Sequence, residues 1–149
     1  MVGSESLNLA SNEKKVCMKA VAQEDLAGCA VACAAFVLGI TYGKALKLFD
    51  SKGAGKSGYY CREIVEALGR AGKKYSFAYV KPGKRMLLKR PMCIVFVKKS
   101  GKYPLGHYLA RAGCGLWMNP WVNFPKIKGV KAGFQKSLPG KAQYVVYPE

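Results

Sequence analysis

The chain has 149 residues, half of them hydrophobic, and carries a formal net charge of +17. That length allows one domain with its own core, and that apolar content excludes an unfolded tail protein. No apolar run is long enough to span a bilayer and the start Met-Val-Gly-Ser-Glu-Ser is no secretory signal, so a cytoplasmic protein is expected.

Residues 1–20 are polar and without periodicity, which predicts a flexible arm ahead of a single domain over 21–149. From Cys29 to Gly39 the chain is apolar nearly all round, the pattern of a buried helix whose end Gly39 marks. A short helix follows over Tyr42–Phe49, with Ala45, Leu46 and Phe49 inward, then a loop from Asp50 to Gly58. Tyr59–Arg70 reads as a third helix with Cys61, Ile64, Val65 and Leu68 on its inner face. The period then changes: Tyr75, Phe77 and Tyr79 alternate with smaller residues, as in a half-buried strand. Lys81–Arg90 reads as a basic connector, and Met92–Lys98 as the next strand. Tyr108–Arg111 and Leu116–Met118 form a hairpin pattern across Gly113-Cys114-Gly115. The stretch 125–140, rich in lysine and glycine, gives no clear element, and Ala142–Tyr147 closes the chain as a strand. Helices first and an antiparallel sheet second predict the α+β class.

Six cysteines invite a disulfide reading, but Cys33, Cys61 and Cys93 fall within apolar segments and Cys114 at a turn. Free thiols are expected, since buried cysteine behaves as a small hydrophobe. No Cys-x-x-Cys pair occurs, so neither a zinc site nor any other metal or cofactor is expected. Twenty of the 25 basic residues are lysine, dispersed from Lys14 to Lys141. Base readers favour arginine forks in clusters, so no specific nucleic acid is expected, only loose attraction to polyanions.

The chemistry-bearing residues are Gln23, Cys29, His107 and Asn119. Cys29 opens the apolar helix, where unpaired N–H groups and the positive dipole end favour a thiolate. Cys33, one turn further in, reads as core. His107 is the only histidine, entering a strand in which Leu109 shares its face and Tyr108 and Ala110 take the other. Antiparallel pairing across the hairpin brings Asn119 back towards His107, where its oxygen can accept from one ring N–H. Asn123 is the alternative for that role. Gln23, six positions before Cys29, can offer its amide to an oxyanion together with the Cys29 N–H, a donor typically worth about 2.7–4 kcal/mol. A cysteine, a histidine, an orienting amide and an oxyanion donor make a cysteine peptidase site.

Gln23-x5-Cys29, continuing as Cys29-Ala30-Val31-Ala32-Cys33 and ending at Tyr42-Gly43, resembles the bacteriocin-processing cysteine peptidases. Gly106-His107-Tyr108 and the Asn119-Pro120 pair extend the likeness over roughly 21–121. The resemblance implies a papain-like domain that removes leader peptides after small residues of the Gly-Gly type. By it Cys29 is the nucleophile, His107 the base, Asn119 the orienting residue and Gln23 the oxyanion donor, with Tyr108, Trp117 and Trp121 as groove walls. The expected partner is a peptide or protein substrate, with a separate ABC transporter acting in trans or none. Gly28 and Ala30 stand where the family usually has Asp and Gly, and Asn119 replaces its usual Asp. The interval from His107 to Asn119 is also shorter, which requires a tight hairpin.

Three other readings compete. The same fold can serve as a noncatalytic peptide-binding module, and the retained Cys29, His107 and Gln23 are the feature against it. A basic nucleic-acid or virion-associated protein would account for the charge. Gly55-Lys56-Ser57 matches the end of a phosphate-binding loop, but Asp50 stands at its first glycine and a helix, not a strand, precedes it.

Overall fold

The computed structural model describes residues 18–50 and 53–149. Most of the arm expected over 1–20 therefore lies outside the described residues; Met18 and Ala20, at its end, pack against the core. The chain folds as α+β, helices first and sheet second. Among the described residues, three helices, α1 (Cys29–Leu38), α2 (Tyr42–Leu46) and α3 (Cys61–Arg70), precede six strands. These are β1 (Tyr75–Tyr79), β2 (Ile94–Val97), β3 (His107–Arg111), β4 (Trp117–Asn119), β5 (Gly133–Gln135) and β6 (Ala142–Pro148). They form one antiparallel sheet in the order β1-β6-β2-β3-β4-β5. No helix among the described residues is long and apolar enough to cross a membrane.

α1 is buried on every side, as its apolar sequence requires: Ala30 to Ala35 are without solvent contact and Phe36 nearly so. It closes at Gly39, where the Ile40 N–H reaches back to the Ala35 carbonyl at 3.0 Å. α2 is one residue over a turn, stopping at Leu46 rather than Phe49, although Phe49 still buries its ring against Tyr59. In α3 Ile64, Ala67 and Leu68 are the fully buried positions, while Val65 is only half-buried.

Strand alternation divides the sheet's residues between two cores. Ile94, Tyr108, Ala110, Met118 and Val146 pack with α1 and α3. Val95, Val97, Leu109, Trp117 and Val145 face the other way. That second face is covered by the stretch expected to be a mere connector. Pro82–Lys89 is a 3₁₀ segment that starts on proline and buries Leu87 and Leu88. Its five flanking cations masked a two-leucine anchor. Two more differences concern strand ends. Met92, expected to begin a strand, has φ of +66° and the ladder starts two residues later at Ile94. β1 is an edge strand, so only Tyr75 is buried while Phe77 and Tyr79 are about half exposed. The unassigned stretch 125–140 contributes β5, which pairs with β4 as Trp117–Gln135, Met118–Phe134 and Asn119–Gly133.

Candidate active site

Gln23, His107 and Asn119 are the buried polar side chains among the described residues, each no more than 3 % exposed. Burying a polar group is costly unless it is hydrogen-bonded, so their grouping has to be accounted for. Gln23 and His107 line one cavity of about 320 Å³ together with Cys29, and Asn119 stands behind His107.

Cys29 is the first residue of α1, entered through a turn in which the Gly28 N–H donates to the Asp25 carbonyl at 3.0 Å. A Cβ on Gly28 would lie 2.0 Å from the Tyr42 hydroxyl, which donates to an Asp25 carboxylate oxygen at 2.7 Å. The phenol thus fills the place that an aspartate side chain before the cysteine would need. The same loop is held from the other side by Ala27 N–H on the Ala54 carbonyl at 2.8 Å. Gly53–Gly55, the glycine-rich stretch, is therefore a 3₁₀ turn propping the Cys29 loop. The next helix begins only at Cys61, so no helix N-terminus follows the turn to hold a phosphate.

His107 opens β3 at the strand's end. Gly106 precedes it with φ of +79°, and a Cβ there would fall 2.1 Å from the Phe96 ring; both facts demand glycine. The imidazole stacks on Tyr103, ring centroids 4.3 Å apart and 3° from parallel. Its Nε2 lies 2.8 Å from Asn119 Oδ1. The identity of that oxygen is fixed independently, because it also accepts the Trp121 backbone N–H at 2.9 Å. Asn119 Nδ2 donates to Gln135 Oε1 at 3.0 Å, and Gln135 Nε2 donates to the Ser137 carbonyl at 2.8 Å. The neutral imidazole must then carry its proton on Nε2, which leaves Nδ1 as the free base. Asn123 does not reach His107: it accepts from the Lys131 N–H and donates to the Gly129 carbonyl within its own loop.

Gln23 departs from the expectation for an oxyanion donor. Its backbone N–H bonds the Pro120 carbonyl at 3.3 Å, next to Asn119. Its Nε2 donates to the Asp25 and Leu26 carbonyls at 3.0 and 3.1 Å, and its Oε1 is buried without a partner. Turning the amide over would set Oε1 against two carbonyl oxygens, so the orientation is determined. Both protons are engaged, and Gln23 becomes available to a substrate only if it leaves at least one of these carbonyls.

The walls are apolar. Tyr59, Phe96, Leu105 and Trp121 line the cavity, with Leu26 and Leu105 largely exposed at its rim. Tyr108 borders it too, but its hydroxyl is committed to the Tyr59 carbonyl at 2.8 Å. Trp117, expected as a wall, does not line it. Opposite Arg111 in the hairpin register, it packs with Leu109 and Val95 on the far face of the sheet. Tyr103, Gln135 and Phe124, which sequence reading did not single out, complete the surroundings of His107.

Electrostatics here are dominated by burial. Burial pushes the Cys29 thiol up to about 11, against the smaller pull of the backbone N–H groups of Tyr108, Ala30 and Cys29 itself. Burial likewise pushes His107 down to about 4, opposed by its bond to Asn119 and assisted by the Lys102 ammonium. The thiolate favoured by the helix terminus is thus not the resting form: desolvation outweighs the dipole, and thiol and imidazole are both neutral near pH 7.

No protein-family model matches the sequence, and no curated protein does. Among solved structures the chain is similar to the peptidase domain of Streptococcus ComA, a bifunctional ABC transporter involved in a quorum-sensing pathway. The TM-score is 0.55 at 22% identity, over 89% of this chain and 99% of that domain. The likeness is one of fold, with the helices and sheet in the same arrangement.

Proposed function

We propose that the chain is a cysteine peptidase that cleaves peptides after small residues. The observation that supports it most is the relay Gln135–Asn119–His107 ending on an unprotonated Nδ1 in the cavity that holds Cys29. Cys29 Sγ attacks the scissile carbonyl as its proton passes to His107 Nδ1. The oxyanion is held by the Cys29 backbone N–H, which has no intrahelical acceptor. The Nδ1 proton then goes to the leaving amine, and a thioester remains on Cys29. Water, deprotonated by His107, hydrolyses the thioester and releases the acid. Asn119 orients the ring without adding charge, so the imidazolium is transient in a site that disfavours it.

The tightness of the cavity between Tyr59, Phe96, Leu105 and Trp121 supports small residues before the cut. With the fold of a transporter's peptidase domain, a leader peptide of the Gly-Gly type is the expected substrate, and an ABC transporter the expected partner. One observation favours the binding-only alternative, namely the burial that keeps Cys29 a thiol. A peptide library read by mass spectrometry separates the two. Cuts concentrated after Gly-Gly or Gly-Ala are expected; binding of such peptides with no cut at any pH between 5 and 9 would favour the binding module.

A further inference from the structure

The basic residues are dispersed along the sequence, but the net charge is not. All eight carboxylate side chains lie at or before Glu66 or at Glu149, so the stretch 67–148 holds no Asp or Glu beside its seventeen Lys and Arg. The remaining residues are balanced, and the net charge of +17 therefore belongs to the sheet half.

Within that half the cations gather on a groove remote from the catalytic cavity. A concavity of about 740 Å³ is lined by Arg85, Lys89, Arg111 and Lys141 over a floor that includes Trp117 and Leu138. A second, of about 320 Å³, is lined by Tyr79, Lys81 and Lys98 and shares Arg85 and Lys141 with the first. The two adjoin at Arg85 and Lys141 on the sheet face turned away from α1, between the 3₁₀ segment and the start of β6. No acidic side chain lines either. Arg111 is held in place, its guanidinium 4.9 Å from the Trp117 ring centroid.

We propose that this groove binds a single strand of nucleic acid through its phosphates. A channel of this volume does not admit a duplex, and a flat bilayer does not enter a concavity. A strand with a charge on every nucleotide places successive phosphates against Lys81, Arg85, Lys89, Lys98 and Lys141. Contacts made to phosphates and not to base edges make the binding indifferent to sequence.

Fluorescence anisotropy with a labelled 15-nucleotide oligodeoxythymidylate tests the proposal. Engagement of about four phosphates weakens affinity about fiftyfold between 50 and 200 mM salt. The pair Arg85→Glu and Lys141→Glu should weaken binding at least about tenfold, whereas Lys44→Glu with Lys47→Glu, an equal charge change on α2 and its end, should leave it within about twofold. The milder Arg85→Ala with Lys141→Ala should fall between, and near-ultraviolet circular dichroism reports that each variant is folded. Equal weakening by both glutamate pairs, or no binding at 50 mM salt, overturns the proposal. So does groove-dependent binding that favours phosphatidylserine vesicles or polyglutamate over the oligonucleotide. None of these residues lines the Cys29 cavity, so the outcome is independent of any peptidase activity.

Discussion

Replacing Cys29 with alanine is expected to lower cleavage of a Gly-Gly peptide at least about a thousandfold, through kcat rather than KM. The proposed reaction has no second nucleophile to fall back on. Cys33 lies one turn deeper with no solvent contact, where burial holds its thiol well above the usual range. Cys61 is engaged with the Tyr108 hydroxyl at 3.7 Å. Stability should change by only about 1 kcal/mol, because the thiol is half-buried at a helix start and packs at the edge of the core. Thermal denaturation beside the kinetics keeps the two effects apart. Retention of more than a tenth of the activity would assign the chemistry to another group.

Asn119→Ala is expected to act on both activity and stability. The substitution orphans two buried partners, the His107 Nε2–H and the Trp121 N–H, and one half-buried partner, Gln135 Oε1. Each buried polar group left unpaired costs about 1–3 kcal/mol. Partial rescue by water sets the expected total at about 3 kcal/mol, with a corresponding fall in Tm. Without the Oδ1 acceptor the ring loses its reason to keep the proton on Nε2, and kcat should fall about a hundredfold. Asn119→Asp distinguishes the roles. It keeps an acceptor for His107 and Trp121, adds a charge that favours imidazolium, and loses only the bond to Gln135. Activity should return in Asn119→Asp even where stability does not. If Asn119→Ala cleaves as fast as the wild type at a temperature where it is folded, Asn119 does not position His107.

The features readable in the sequence were those governed by local periodicity. The run from Cys29 to Leu38 is apolar on every side, and a helix with that pattern has to be central. Alternation through His107–Arg111 and the glycine turn at 113–115 were enough to fix the hairpin that carries Asn119 towards His107. Long-range partners were not readable. Gln135 lies in a lysine-rich stretch with no pattern of its own, and β5 exists because β4 offers it an edge. Tyr103 sits in a loop, and nothing local announces that its ring will lie flat on His107. Trp117 was misread because its neighbourhood to Asn119 in sequence suggested the same cavity, whereas its register with Arg111 carries it to the opposite core. Leu87 and Leu88 were hidden among cations, although two adjacent leucines in a basic connector need somewhere to go. The protonation state of Cys29 depends on how far the finished cavity buries it, a property of the assembled walls and not of the helix terminus.

The pairing of Cys29 with His107 is the central claim, and the pH profile of Cys29 alkylation by iodoacetamide tests it most directly. His107, with a pKa lowered to about 4, is neutral above that pH and able to take the thiol proton as sulfur attacks. Below it, imidazolium cannot. The account predicts a Cys29-specific rate that is level from about pH 5 to 8 and falls away on the acid side near pH 4. In His107→Ala the level region should vanish, and the rate should climb steadily towards the thiol's own pKa of about 11. Identical profiles for the wild type and His107→Ala would contradict the account, since sulfur and imidazole would then share a cavity without sharing a proton.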